Sequence, residues 1–186
     1  RTRAAHNVVA TSGRTYDSDS RATLRRCIQQ DNADFYIVDD FGYEGFKVTR
    51  YFLYLRTIDA FVVRDQVTKL NDRLMFPSFR QIWHLHPDMD AEVSSSFVEL
   101  KSSSSVATIS WADRSRIAVS QGNEDEFYRG WFADRNDQIT KAKVLTAAST
   151  RRGQVDWLCA ISVGDQVVEP VSWLPDKNDS DGYQLH

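Results

Sequence analysis

The sequence predicts an all-β protein, a large antiparallel β-sandwich of about a dozen strands. Three observations carry this. Short runs rich in Val, Ile, Phe, Tyr and Trp recur along the 186 residues, and such residues suit a pleated, half-buried surface. Clusters of Gly, Asn, Asp and Ser separate the runs, as the tight connections of a sandwich or barrel require. No stretch of roughly ten residues or more makes a convincing amphipathic helix. A helical bundle and a βαβ alternation are both disfavoured.

In chain order, His6–Thr11 (HNVVAT) reads as a short strand closed by a turn at Ser12–Gly13. Thr15–Ser20 is a polar loop. Within Ser20–Gln30, Ala22, Leu24 and Ile28 fit a two-residue period, interrupted at Arg26, about as well as a helical one. The β-prone neighbours decide for a strand. Asp34–Phe41 is a strand, and Gly42–Gly45 turns the chain into its longest β-prone segment, Phe46–Val67. A break at Arg56–Asp59 divides that segment into two neighbouring strands joined by a tight turn. In the first, Val48, Arg50, Phe52, Tyr54 and Arg56 alternate with Thr49, Tyr51, Leu53 and Leu55, so the two sets point to opposite faces. Neither set is purely polar, which places this strand centrally with cover on both sides.

Asn71–Asp72 and Pro77 mark the connection to a strand at Phe79–His86. The remaining strands are expected at Glu92–Leu100, Val106–Trp111, Arg116–Ser120, Tyr128–Phe132, Lys143–Ala148, Gln154–Val163 and Val167–Trp173, with turns such as Asp134–Asp137 between them. The reading is one sandwich domain over residues 1–175 and a polar tail or linker over 176–186. The chain opens RTRAAHNVV and runs straight into a strand without an initiator Met or a targeting segment. A piece of a longer protein is therefore expected.

Composition removes several function classes. The formal net charge is −3, without the basic excess that a nucleic-acid-binding face needs. No apolar run approaches the roughly 18 residues of a membrane span. The two cysteines, Cys27 and Cys159, lack the CxxC spacing of a zinc finger. They could pair, but two unpaired core thiols are the commoner arrangement for such residues. No nucleophile elbow and no phosphate-cradling glycine loop is present. Asp39–Asp40 and the Asp17/Asp19 pair fit turn-forming or solvated acids better than a general acid/base couple, since adjacent strand residues face opposite ways. Tyr36, Tyr43, Tyr51, Tyr54, Trp83, Trp111, Trp131, Trp157 and Trp173 could stack on sugars where exposed, though large aromatics usually fill cores.

The histidines are the strongest candidates for chemistry. His6 stands before Asn7 at the rim of a strand, where a lone imidazole more often serves structure. His84 and His86 are two apart, so on a strand both face the same way. That spacing can contribute to a metal site or to a polar patch, and the patch is the commoner outcome. Asp88 and Asp90 share the parity, but Pro87 breaks the strand between. His186 is terminal and is given no role.

Several stretches, in this order, resemble the C-terminal β-sandwich domain of the heparinase II/III-like polysaccharide lyases. They are AAHNVV with TSG; VTRYFLYLRTIDAFVVRDQV, with Arg50 leading one strand and Asp65 ending the next; IWHLHPDM; RGWFADRNDQITKAKVLTAAS; and QVDWLCAISV. The resemblance implies a bacterial parent in which the sandwich joins an N-terminal helical toroid and acts on an acidic polysaccharide. Such enzymes cleave uronate-containing chains by β-elimination. It implies His6 as the catalytic histidine that the sandwich lends to the cleft, with Asn7, His84 and His86 as substrate-binding residues. The toroid supplies the other acid and base groups, so this chain alone is expected to be inactive. A lyase parent would be periplasmic or secreted, with a cytoplasmic one left open.

Some members also hold a metal, often zinc, through two histidines and an aspartate. Here Val8 and Ala22–Leu24 occupy the first two places, and only His84 or His86 could supply the third. No cofactor and no tightly bound structural zinc is therefore expected; zinc and calcium are the ions that a metal analysis should seek. Two other readings stay open. One is a carbohydrate-binding or purely architectural sandwich, which needs a row of exposed aromatics. The other is a heparinase-like protein of a polysaccharide-synthesis locus with altered activity. Arg50 and Asp65 are expected to serve structure, as a buried ion pair or turn anchor.

Overall fold

The computed structural model describes residues 6–95, 97–112, 115–122, 129–135, 138–149, 155–164, 166–169, 173–175 and 183–185. Among these no helix forms, and the strands are β1 (Val9–Thr11), β2 (Thr23–Gln29), β3 (Ala33–Asp40), β4 (Phe46–Leu55), β5 (Ala60–Lys69), β6 (Phe79–His84), β7 (Asp90–Val93), β8 (Phe97–Lys101), β9 (Val106–Trp111), β10 (Arg116–Gln121), β11 (Trp131–Arg135), β12 (Gln138–Lys141), β13 (Lys143–Ala148), β14 (Val155–Val163), β15 (Trp173–Pro175) and β16 (Tyr183–Leu185). An eight-stranded sheet runs β2-β3-β4-β5-β14-β9-β8-β7, and a four-stranded sheet runs β1-β6-β13-β10. The fold is an all-β, antiparallel sandwich, as the sequence pattern requires.

The hairpin of β4 and β5 is the long pair expected from Phe46–Val67. Its register runs from Phe46 opposite Lys69 to Leu55 opposite Ala60, around the turn at 56–59. Asp59 closes that turn with a φ of 46°, a left-handed conformation that Asp tolerates better than most residues. The Tyr54 hydroxyl donates to Asp59 Oδ1 at 2.9 Å. Every second residue of the hairpin then faces the smaller sheet. Phe46, Val48, Val63 and Val67 meet Val9, Phe79, Trp83, Leu145 and Ala147 in the main core, with Trp111, Trp157 and Cys159 beside them. Each large side chain so buried contributes about 1.5–3 kcal/mol relative to exposure. The opposite face of the large sheet carries a second cluster, Leu53, Val62 and Ala160, against which Phe35, Leu158 and Val168 pack. Segment 166–169 lies over that face, its Gln166 and Val168 carbonyls accepting the Ser162 and Ser110 hydroxyls. β4 is thus covered on both sides.

Several expectations need correction. Glu92–Leu100 is not one strand but the hairpin β7–β8, because the Ser94 amide donates to the Phe97 carbonyl at 2.9 Å and turns the chain back. Serine-rich segments favour such turns. β11 continues through Ala133 to Arg135 and pairs with β12 across a register shift. The Asp134–Asp137 connection is therefore shorter than expected. Strand β12 carries a single large apolar residue, Ile139, so periodicity could not reveal it. Val167–Glu169 is irregular, and the strand there is β15, which pairs with Tyr183–Leu185 inside the segment read as a polar tail. Cys27 is exposed and only Cys159 is buried; both are free. Asp39 and Asp40 are buried rather than solvated, and Asp40 takes the turn-forming role expected as the alternative. Asp39 accepts the Thr49 hydroxyl at 2.7 Å, and Asp40 anchors the Gly42 turn amide at 2.9 Å.

Two glycines shape the approach to β11. A Cβ on Gly122 would meet the carbonyl oxygen of Gly130, and Gly130 itself has a φ of 78°. Only glycine allows both the close backbone approach and the left-handed turn. The ladder between them continues through Ala142, whose amide donates to the Gly130 carbonyl at 2.8 Å.

Candidate functional site

The inward face of β6 breaks its apolar pattern once, at Gln81, which is fully buried between Phe79 and Trp83. Its Oε1 accepts both indole N–H groups that reach it, from Trp83 at 3.0 Å and Trp111 at 2.9 Å. Its Nε2 therefore faces the other sheet, where it donates to Asp65 Oδ2 at 2.8 Å. Asp65, also fully buried, receives the Arg50 fork as well, with Nε on Oδ1 and Nη2 on Oδ2, each at 2.7 Å. Arg50 stands directly opposite Asp65 in the hairpin register. Its guanidinium lies 5.4 Å from the Trp83 ring centroid. Burial alone would lower the Arg50 pKa; the charge of Asp65 and the hydrogen bonds to it outweigh that cost and hold the pKa above its usual value.

The Arg50 fork has a third partner. Nη1 donates to the Asn7 main-chain carbonyl at 2.7 Å, and Asn7 Oδ1 accepts the His84 amide at 2.6 Å. Three of the residues singled out in the sequence thus share one rim: Asn7 and His84 bonded to each other, and exposed His6 immediately before Asn7. His86 does not join them through a common strand face, since β6 ends at His84. Its ring packs edge-on against Phe132 with centroids 5.0 Å apart, and Nδ1 lies 3.5 Å from Asp88 Oδ2. The Asp90 carboxylate is taken by Lys143. Among the described residues no three His, Cys, Asp or Glu side chains form a group that could hold a metal ion. Val8 and Ala22–Leu24, the places that the resemblance gives the first two ligands of a two-histidine, one-aspartate set, carry no imidazole or carboxylate. No helix of the described residues is long and apolar enough to cross a membrane.

Beside the fork, a cleft of about 250 Å³ is lined by Val8, Tyr16, Ala22, Val38, Asp40, Arg50 and Asp65, among others. Two carboxylates against one guanidinium make it a poor place for a uronate carboxylate. The Tyr16 hydroxyl, 3.2 Å from Asp40 Oδ1, leaves that acid further satisfied.

Gln81, Trp83 and Trp111 were not legible as parts of this network. The available signal was a polar residue on the inward parity of Phe79-Gln81-Trp83-Leu85. Cys159 borders the same network, and burial, followed by the charge of Asp65, raises its thiol pKa far above that of a free thiol. A raised folded-state pKa means stability that is complete below the unfolded value of about 8.5 and is lost as the pH climbs above it, by up to about 1.4 kcal/mol per pH unit. Urea midpoints above pH 9 should show this loss, and Cys159→Ala should flatten it. A thiol reagent should label Cys27 in the folded protein and reach Cys159 only on unfolding; rapid labelling of both would contradict the burial described.

The fold and its rim define an antiparallel sandwich domain with a histidine-bearing edge. A family model described as "Heparinase II/III-like, C-terminal" matches residues 1–163, and the chain belongs to that family. Among solved structures it is similar to the heparan sulfate lyase HepC from Pedobacter heparinus, with a TM-score of 0.72 at 12% identity over 97% of this chain and 30% of that one. A structure of the heparinase III-BT4657 gene product gives a TM-score of 0.69 at 12% identity, over 88% of this chain and 24% of that chain. One named heparinase III gives 0.64 at 11% identity, over 85% and 23%. At such identities the likeness is one of fold, and the chain spans less than a third of each of these structures. No curated protein sequence matches it.

Proposed function

We propose that this chain is the sandwich domain of a polysaccharide lyase, working with a helical toroid of the same parent protein on an acidic, uronate-containing polysaccharide. Family membership supports this reading, and one observation carries it to named residues: exposed His6–Asn7 is bound to the His84 amide at a single rim. In β-elimination a base removes the uronate C5 proton, the C4–O bond breaks as a C4=C5 double bond forms, and the departing glycosidic oxygen takes a proton. A donor beside the carboxylate stabilises the charge that develops there. His6 enters the cleft between sandwich and toroid for this chemistry, while Asn7 and His84 contact the polymer beside it and His86 does so apart from that rim. The reaction invokes no metal. The parent acts in the periplasm or outside the cell, where such polymers are met.

The test is the absorbance of unsaturated uronate product. The intact parent should release it from at least one uronate polysaccharide, and this chain by itself should release none. Product from the chain alone would sink the division of labour with the toroid. A second reading, a sugar-binding surface without catalysis, draws on a ladder of half-buried rings. Tyr36 and Phe52 are 6.3 Å apart, Phe52 and Phe61 5.4 Å, and Tyr54 stacks on Phe61 at 4.6 Å. Binding of uronate oligosaccharides that is lost in Tyr54→Ala, with a parent inactive on them, would favour it.

A further inference from the structure

We propose that Arg50, Asp65 and Gln81 are positioning residues: they close a ring of bonds through the core that fixes Asn7, and with it His6 and the His84 amide, at the rim. The circuit can be followed bond by bond. Trp83 and Trp111 can only donate, so their two indoles fix the orientation of the Gln81 amide. Gln81 and the two-pronged Arg50 contact give Asp65 three donors. With Nε and Nη2 committed to Asp65, the guanidinium plane is set, and Nη1 is delivered to one place, the Asn7 carbonyl. Asn7 then takes the His84 amide through its side chain. His84 follows Trp83 in β6, and the ring closes.

This arrangement joins β4 and β5 of the large sheet to β6 of the small one and to the segment ahead of β1. A rim segment held at its carbonyl and at its side chain has lost the conformational freedom that exposed segments ordinarily keep. Stability alone would not call for it, since an apolar pair of similar volume usually replaces a buried ion pair at little cost. An apolar pair could not reach the Asn7 carbonyl. A lysine could not do so either while serving Asp65, because its ammonium is a single point rather than a planar fork. Arg50 also differs from two other arginines paired with acids along this large sheet. Arg64 binds Asp156 on the adjacent strand β14, and Arg56 binds Asp34 and the Gln30 carbonyl. Arg50 reaches the segment that carries His6, through the Asn7 carbonyl.

The role of the ring in turnover rests on the lyase reading above, whereas its role in holding the rim does not. Hydrogen exchange of the intact parent, followed at the His84 amide, separates the two. Arg50→Lys should speed His84 exchange about tenfold while the central amides of β14 keep their protection. In the same variant turnover should fall by about tenfold or more, with KM nearly unchanged, because an ordered rim matters to the reaction rather than to ground-state binding. If Arg50→Lys does not fold, the exposed Asn7 supplies the test. Asn7→Leu should speed His84 exchange and Asn7→Asp, which keeps an acceptor oxygen, should not. Unchanged His84 exchange in Arg50→Lys and Asn7→Leu, or an equal rise at every amide, would overturn the positioning role. Faster exchange at His84 with unaltered turnover would support the positioning and overturn the catalytic reading of the rim.

Discussion

Asp65→Ala should cost the fold about 3–5 kcal/mol. The carboxylate is wholly buried and collects three hydrogen bonds from two side chains. Removing it strands the Arg50 charge near the main core and leaves Gln81 Nε2 facing an apolar gap. The indoles keep Gln81 in the core, and Arg50, 26% exposed at its side chain and tied to the Asn7 carbonyl, keeps its charge beside the gap. For a chain of this length the loss corresponds to about 2–4 °C of melting temperature per kcal/mol. The paired replacement Arg50→Met with Asp65→Leu should recover much of it, since it removes the charge together with its partner. Urea unfolding of the three proteins measures this. A loss under about 1 kcal/mol for Asp65→Ala, or a double variant worse than the single, would show that the pair is not buried and coupled as described.

That pair was within reach of the sequence, and its meaning was not. Once Arg56–Asp59 is a turn, simple counting places Arg50 opposite Asp65, and the register confirms it. Period-two alternation with bulky residues likewise made β3, β4, β5 and β14 readable. Strand β12 escaped because it lies exposed and mostly polar, so no face of it answers to the core. The β7–β8 hairpin escaped because Val93, Phe97 and Val98 supply apolar residues on both sides of a serine turn. At the rim, His6 and Asn7 were noticed as residue types. Their attachment could not be read, because the bonds to Arg50 and His84 span 43 and 77 residues of sequence. Such closures depend on how the two sheets stack, and local pattern carries no information about that. His86 shows the converse: its spacing from His84 was visible, but the strand ends before the spacing can act.

The largest functional effect is expected at His6. It is exposed, so its removal should leave stability within about 0.5 kcal/mol, as for most surface substitutions. A group that moves a proton in the transition state typically contributes about 10²–10⁴-fold to the rate. A purely structural histidine would show the reverse balance. The deciding measurement is therefore the turnover of the intact parent carrying His6→Ala on a uronate polysaccharide, recorded together with its melting temperature. A fall of about a hundredfold or more at unchanged melting temperature is the expected result. Turnover that holds, or that falls only in step with stability, would contradict a catalytic rim on this sandwich.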